Sequence, residues 1–148
     1  MTDSKPKVAV LDDDENWCLA IQRFFRASFD VTTFTDVQSF LNSPLESYDL
    51  VMIDFTIAPN HRHETATNGI EIIHQLKTQL KHPPLAILTS AFISRSDLTL
   101  DHTLSMQADI VMPKDCGLDE ILRTAQALLS AKDSGLNKTG EGRQSQLE

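Results

Sequence analysis

The sequence predicts a single α/β domain built around a parallel five-stranded sheet. Short apolar runs alternate along the chain with longer segments that repeat their apolar residues at helical spacing, which is the pattern of repeated βα units. The runs are apolar almost throughout, as strands are when helices cover both faces of a parallel sheet. A length of 148 residues also suits one domain with a core of its own.

Five segments have the length and composition of buried strands. They lie near residues 7–11, 30–34, 49–53, 85–88 and 109–112.

Three helices are predicted between the first four strands. The first helix follows an N-cap at Asp14. The residues that recur at core spacing in it are Ala20, Ile21, Phe24, Phe25 and Ser28. The second, short helix starts at the capping-box pattern Thr35-Asp36-Val37-Gln38 and ends before Pro44. The third begins at Asn68-Gly69-Ile70-Glu71 and ends at Pro83-Pro84.

Two more helices follow. Ser94-Arg95-Ser96-Asp97 can cap a polar fourth helix, which we expect to be the most mobile because its apolar period is weak. The fifth has a continuous apolar stripe, formed by Leu118, Ile121, Leu122, Ala125, Leu128 and Leu129. We therefore place the domain at residues 1–131. Residues 132–148 are rich in Gly, Ser, Lys and Gln, and we expect them to form a disordered tail.

Composition excludes several classes of function. A net charge of −8 argues against direct nucleic-acid binding, for which a basic face supplies most of the affinity. No apolar run approaches the roughly 20 residues that cross a bilayer, so we expect a cytoplasmic protein that does not enter the membrane. The two cysteines, Cys18 and Cys116, lack the spacing of a zinc site or a disulfide framework.

Polar residues follow four of the predicted strands. Asp12-Asp13-Asp14 follows Leu11, Asp54 follows Ile53, Thr89-Ser90 follows Leu88, and Lys114 follows Pro113. In a parallel sheet these ends lie on one edge, where open α/β folds place their ligands. The set can hold a divalent cation and a phosphoryl group.

Magnesium takes six oxygen ligands, commonly one or two carboxylates, phosphate oxygens and water. Asp13 and Asp54 can supply the carboxylates, with Asp12 holding a metal-bound water and the Thr56 carbonyl as a further ligand. Carboxylates this close repel one another, so we expect cation binding to stabilise the fold.

Asp54 is then placed to attack a phosphorus atom, as in other aspartyl-phosphate chemistry. Charge on the transferring group needs neutralisation, for which Lys114 supplies an ammonium and Thr89 a hydroxyl donor. Backbone N–H groups after Asp54 can bind a third oxygen.

Each of these residues alone has a plainer interpretation. The acidic cluster can cap a helix, Asp54 can belong to a turn, Lys114 can be a surface lysine and Thr89 an ordinary strand residue. Their occurrence in order at four strand ends favours a site.

These motifs resemble the receiver domain of bacterial two-component response regulators, over about residues 5–131. The segments that carry the resemblance are Val10-Leu11-Asp12-Asp13-Asp14, Leu50-Val51-Met52-Ile53-Asp54, Leu88-Thr89-Ser90 and Ala108-Asp109-Ile110-Val111-Met112-Pro113-Lys114. The resemblance implies a flavodoxin-like fold, (βα)5 with strand order 2-1-3-4-5. It implies Mg²⁺-dependent phosphorylation of Asp54 by a histidine kinase, and Thr89 and Ser90 as the switch.

The chain departs from the family pattern at three places. Asp115 stands where the family has a proline after the lysine, so we expect a trans peptide there. Val111, on the output face, stands where an aromatic switch residue is usual. The loop from Phe55 to Thr67 is longer than usual, and long loops at a site's rim are often functional.

Two further features carry open alternatives. His61-Arg62-His63 lies in that long loop and fits incidental solvated side chains better than metal ligands, because no partner ligands are evident. Trp17, early in the first helix, can serve a partner surface, although simple packing is the favoured interpretation.

The leading hypothesis is a single-domain response regulator that accepts a phosphoryl group from a sensor histidine kinase or a histidine phosphotransfer protein. It would signal by changing its affinity for a downstream protein, and the family habit adds a homodimer as a possible state. The alternative is a receiver-like interaction module that does not depend on phosphorylation.

A third hypothesis is a phosphatase resembling the haloacid dehalogenase family, but Thr56 stands where those enzymes carry a general acid. We therefore expect a switch and not an enzyme. A flavin-binding flavodoxin is disfavoured, because carboxylates at the first strand end would repel the cofactor phosphate.

Overall fold

The computed structural model describes residues 5–57, 67–90 and 108–138. Strands and helices alternate along these ranges. They are β1 (Lys7–Leu11), α1 (Glu15–Phe25), β2 (Asp30–Phe34), α2 (Val37–Leu41), β3 (Leu50–Asp54), β4 (Thr56–Ile57), β5 (Thr67–Asn68), α3 (Gly69–Gln79), β6 (Leu85–Ser90), β7 (Ile110–Pro113) and α4 (Leu118–Lys138). Two short 3₁₀ turns lie at Leu45–Ser47 and Lys114–Cys116.

Five of the strands form one parallel sheet in the order β2-β1-β3-β6-β7. Numbered along the chain, this is the order 2-1-3-4-5, so the predicted flavodoxin-like fold is confirmed. The strands β4 and β5 form a separate antiparallel pair. This pair was not predicted, since its strands have two residues each and lack an apolar run.

The two faces of the sheet bury separate apolar clusters. Alternate strand residues such as Val51 and Ile53 pack with α2 and α3 on one face. Their neighbours Leu50 and Met52 pack with α1 and α4 on the other. Helices on both faces explain why the strands β1, β3 and β6 are apolar almost throughout, whereas the edge strand β2 is only partly buried.

The predicted start of α1 is confirmed, because the Asp14 side chain accepts hydrogen bonds from the N–H groups of Asn16 and Trp17. Its buried face contains Cys18, Ile21 and Phe25. The prediction of Phe24 as a core residue is wrong, since this side chain is 42% exposed. Residues 18, 21 and 25 repeat at helical spacing, and position 24 lies beside that stripe.

The short α2 begins one residue later than the capping-box pattern implies. Asp36, and not Thr35, is the cap, and its carboxylate accepts a hydrogen bond of 2.9 Å from Ser39 N. Asp and Thr are both good caps, so adjacent candidates could not be separated by residue type alone.

The last helix extends further than predicted. It ends at Lys138, within the segment 132–148 that we expected to be disordered. The stretch 132–138 contains no proline, so the helix can propagate from the packed turns before it. In the stripe, Ile121 and Ala125 are buried and the four leucines are partly buried against the same cluster.

Three predictions fall outside the described residues. These are the polar fourth helix, the loop with His61-Arg62-His63, and the end of the tail from residue 139. None of the described helices is long and apolar enough to cross a membrane.

Candidate metal centre

Three carboxylates meet at the carboxyl ends of the two central strands. Pairing of β1 with β3 puts Leu11 beside Ile53, so Asp12 and Asp54 follow at the same edge. One oxygen from each of Asp12, Asp13 and Asp54 lies within 4.8 Å of the others. Asp12 and Asp54 are buried, whereas Asp13 is exposed and faces the solvent end of the cluster.

This donor set fits a hard divalent cation. Mg²⁺ binds oxygen ligands at about 2.1 Å, so two ligands on opposite sides of the ion are about 4.2 Å apart. The three carboxylate oxygens all lie within 4.8 Å of one another, close to this spacing. Asp12, Asp13 and Asp54 would therefore hold the ion. Thr56 begins β4 just after the cluster, and its carbonyl as a ligand stays a prediction.

Lys114 reaches into the same cluster from the end of β7. Its Nζ is 2.6 Å from Asp12 Oδ2 and 3.4 Å from Asp54 Oδ1. The lysine is brought there by the pairing of Ser90 with Pro113, which holds the end of β7 beside β6. Its ammonium therefore lies between two buried carboxylates and partly compensates their charge.

Asp12 is held from both sides. Its Oδ1 accepts a hydrogen bond of 2.9 Å from Asp14 N, while Oδ2 contacts the lysine ammonium. Asp14 in turn caps α1, so the carboxylate, the helix start and the lysine form one connected unit. Such outer contacts fix the orientation of a ligand carboxylate.

Burial dominates the electrostatics of the cluster. It raises the pKa of Asp54 to about 6, and the neighbouring Asp12 carboxylate acts in the same direction, while Lys114 opposes both. Burial also raises the pKa of Asp12 against the lowering effect of Lys114. For Lys114, burial alone would lower the pKa, but the two carboxylates outweigh it and raise the pKa. The lysine thus stays charged, and Asp54 is a more basic carboxylate than an exposed one.

Thr89 and Ser90 are buried at the same edge of the sheet. Thr89 is in register with Asp54, but its hydroxyl donates toward the Ile53 carbonyl, at 3.5 Å. The Phe55 N–H donates to the Thr89 carbonyl at 2.7 Å, so this backbone donor after Asp54 is already engaged. Contact of Thr89 or Ser90 with a phosphoryl group therefore stays a prediction.

The three departures from the family pattern lie around this cluster. The peptide between Lys114 and Asp115 is trans, as expected. Val111, on β7, pairs with Leu88 of β6. Its half-buried side chain packs against the apolar cluster between the sheet and the helices α2 and α3. Its role on an output face stays a prediction. The long loop closes at its base through the β4–β5 pair.

Gly69 also lies at the site, although the sequence identified it only as part of the start of a helix. Its N–H donates to the Phe55 carbonyl at 2.6 Å. A Cβ at this position would lie 2.1 Å from the Asp54 carbonyl oxygen, so a side chain cannot be accommodated without movement of β3 or α3. Glycine at the first position of α3 was the available indication of this close approach.

Trp17 contacts the same lysine that pairs with the carboxylates. Its ring centroid is 5.0 Å from Lys114 Nζ. The predicted packing role is partly right, because the ring also packs against the cluster under α1 and α4. No spacing rule links a residue of α1 to the end of β7, so this contact could not be found from the sequence.

Cys18 and Cys116 are not joined by a disulfide bond. Cys18 is buried beneath the acidic cluster, with Sγ 3.4 Å from the Asp12 carbonyl. Burial raises the pKa of its thiol to about 12, and the carboxylates of Asp12 and Asp14 add to this effect. Cys18 is therefore protonated and unreactive at neutral pH.

Comparison with known proteins gives a consistent result at the level of structure. The sequence matches no protein-family model, and it has no match among curated proteins. Solved structures that resemble it include the BeF3-activated DrrB receiver domain, with 22% identity, a TM-score of 0.68, and coverage of 85% of this chain and 98% of that chain.

Two further structures agree. The receiver domain of the Francisella response regulator 1452 is 22% identical, with a TM-score of 0.67 and coverage of 86% and 99%. The CheY-like response regulator receiver domain protein from Methanospirillum hungatei is 17% identical, with a TM-score of 0.65 and coverage of 88% and 98%. The chain has the fold of response regulator receiver domains over most of its length.

Proposed function

We propose that this protein is a single-domain response regulator that accepts a phosphoryl group on Asp54 and works in the cytoplasm. The observation that carries the proposal is the position of the Lys114 ammonium, between the buried carboxylates of Asp12 and Asp54. A basic carboxylate, a fixed cation and a set of oxygen ligands then occupy one pocket. The receiver-domain neighbours support the same role.

The transfer step needs little covalent chemistry from the protein. An oxygen of Asp54 attacks the phosphorus of a phosphohistidine or a small acyl phosphate. The bond from phosphorus to the donor breaks, and its electron pair leaves with the imidazole or carboxylate. The product is an aspartyl phosphate, and the remaining requirement is neutralisation of charge on the phosphoryl oxygens.

Lys114, a bound Mg²⁺ and the Thr89 hydroxyl would together provide that neutralisation. Lys114 lies 3.4 Å from Asp54 Oδ1, which is close enough to pair with an oxygen of a group bound there. Mg²⁺, when bound by Asp12, Asp13 and Asp54, supplies further positive charge. Thr89 is the nearest hydroxyl in register with Asp54 and can donate to another oxygen once it turns from the Ile53 carbonyl.

Signalling would follow from a shift in population between two conformations. Drawing Thr89 and Lys114 toward the phosphoryl group changes the ends of β6 and β7, and with them the surface that a downstream protein binds. A histidine kinase or a histidine phosphotransfer protein is the donor that matches this chemistry.

The alternative function is a receiver-like interaction module that does not depend on phosphorylation. Two observations favour it: Lys114 lies closer to Asp12 than to Asp54, and Val111 lacks the ring of an aromatic switch. An aspartate-dependent phosphatase is disfavoured, because Thr56 offers no general acid for the leaving group.

Intact-mass analysis after incubation with acetyl phosphate and Mg²⁺ separates these functions. We expect one phosphoryl adduct per chain in the wild type, lost in Asp54→Asn and retained in Asp30→Asn, an exposed carboxylate at the far edge of the sheet. An adduct that persists in Asp54→Asn would place the acceptor elsewhere. A wild type that takes no phosphoryl group from acetyl phosphate or from a phosphohistidine donor would favour the interaction module.

A further inference from the structure

The one tryptophan of the chain faces the lysine of the pocket. The ammonium of Lys114 lies 5.0 Å from the centroid of the Trp17 ring, within the roughly 6 Å at which a cation is attracted to an aromatic face. The same ammonium contacts Asp12 Oδ2 at 2.6 Å. The lysine is therefore in contact with both a carboxylate and an aromatic face.

Trp17 is itself fixed to the acidic cluster through the start of α1. The backbone N–H of Trp17 donates to Asp14 Oδ1 at 3.2 Å. The backbone N–H of Asp14 in turn donates to Asp12 Oδ1 at 2.9 Å. The ring and the Asp12 carboxylate thus belong to one capped turn. A lysine on a flexible four-carbon stem gains a defined position from such a pair.

The indole N–H does not fix the ring. Trp17 Nε1 is buried and has no hydrogen-bond acceptor among the described residues. The contact that distinguishes an aromatic residue from an aliphatic one at this position is therefore the ring face toward Lys114. A phenylalanine would keep much of that contact and a leucine would lose it.

We propose that Trp17 is a positioning residue for the phosphoryl pocket. Its ring keeps the Lys114 ammonium inside the pocket, so that the lysine is in place when a phosphoryl group reaches Asp54. This inference rests on the proposed function for its effect on phosphorylation, but the placement of the lysine can be measured without it. Loss of an attraction of this kind predicts that phosphorylation slows by about two- to fivefold in Trp17→Leu.

The first test is NMR of the unmodified protein. The Lys114 ammonium lies over the Trp17 ring, so we expect the signals of the adjacent Hε protons upfield of ordinary lysine positions. The shift should vanish in Trp17→Leu and survive in part in Trp17→Phe. Hε signals at ordinary positions in the wild type would overturn the inference.

The second test is the rate of phosphorylation by acetyl phosphate, measured for the wild type, Trp17→Phe, Trp17→Leu and the control Phe24→Leu. The control removes an exposed ring from the same helix and should leave the rate unchanged. We expect Trp17→Phe to stay near the wild-type rate and Trp17→Leu to fall. Equal rates in wild type and Trp17→Leu would overturn the inference, as would equal losses in the leucine and phenylalanine variants.

The two tests also separate this inference from the proposed function. A wild type that forms no adduct contradicts phosphorylation on Asp54, and the NMR measurement then decides by itself whether Trp17 positions Lys114.

Discussion

Asp54 lies almost wholly out of water beside a second buried carboxylate, Asp12. Burial and mutual repulsion both disfavour the ionised form, and the ammonium of Lys114 offsets only part of the cost. The residues that make the pocket suitable for a cation therefore work against the stability of the cation-free fold. This conflict is characteristic of a functional site, where residues needed for the chemistry are kept although they lower the stability of the fold.

The first prediction concerns the pH dependence of stability. The pKa of Asp54 is about 6 in the folded chain against about 3.9 for an unfolded aspartate, so the folded chain binds this proton more tightly. The free energy of unfolding of the metal-free protein should therefore fall as the pH rises from about 4 to about 6. Asp54→Asn should flatten this dependence and raise the free energy of unfolding at neutral pH by about 1–2 kcal/mol.

Urea denaturation in the presence of a chelator, at about pH 5 and near neutrality, measures both effects. Asp30→Asn makes the same change of charge at an exposed position and should not raise stability. An Asp54→Asn variant that is less stable than the wild type at neutral pH would contradict the account of burial and repulsion.

Gly69 gives a second prediction at the scale of one residue. Because a Cβ would lie 2.1 Å from the Asp54 carbonyl oxygen, Gly69→Ala must displace the start of α3 or the end of β3. We expect a loss of about 1–3 kcal/mol in the free energy of unfolding, together with weaker Mg²⁺ binding. Glu71→Ala, an exposed change in the same helix turn, is the matched control and should alter neither quantity strongly. Unchanged stability in Gly69→Ala would show that the approach of the two elements is looser than described.

The elements differ in how far the sequence determined them. The central strands were predictable, because apolar runs of four residues covered on both faces have few other structures available. Helix boundaries were less so. Asp14 was identified as a cap because one acidic cluster directly precedes one apolar period, whereas Thr35 and Asp36 offered two adjacent caps. The end of α4 is not marked by a proline, and Gly135, Asn137 and Gly140 offered several places for the helix to stop.

The third prediction tests which residue caps α2. Asp36 accepts a hydrogen bond from Ser39 N, so Asp36→Ala should lower the free energy of unfolding by about 1 kcal/mol. Thr35→Ala should cost much less, because Thr35 is exposed and precedes the cap. Denaturant unfolding of the two variants side by side decides between them. A larger loss in Thr35→Ala would restore the capping box that the sequence pattern implied.

At the scale of the whole molecule, topology creates the site. The order β2-β1-β3-β6-β7 brings the ends of four strands to one edge, although their polar residues are spread from Asp12 to Lys114 along the chain. This convergence was predictable, because parallel strands of an open sheet present their carboxyl ends together. The contact of Trp17 with Lys114 and the close approach of Gly69 to Asp54 were not predictable. Both depend on how α1 and α3 pack at the sheet edge. That packing cannot be inferred from the spacing of residues along the sequence.

The central claim is that Asp12, Asp13 and Asp54 act together as one cation site that prepares Asp54 for a phosphoryl group. Titration calorimetry with Mg²⁺ tests it most directly, on the wild type, Asp13→Asn, Asp54→Asn and the control Asp30→Asn. We predict one ion per chain in the wild type and in the control, with affinity lower by at least about tenfold, or about 1.4 kcal/mol, in the two site variants. Equal affinity in all four proteins would contradict the claim, since the ion would then bind elsewhere.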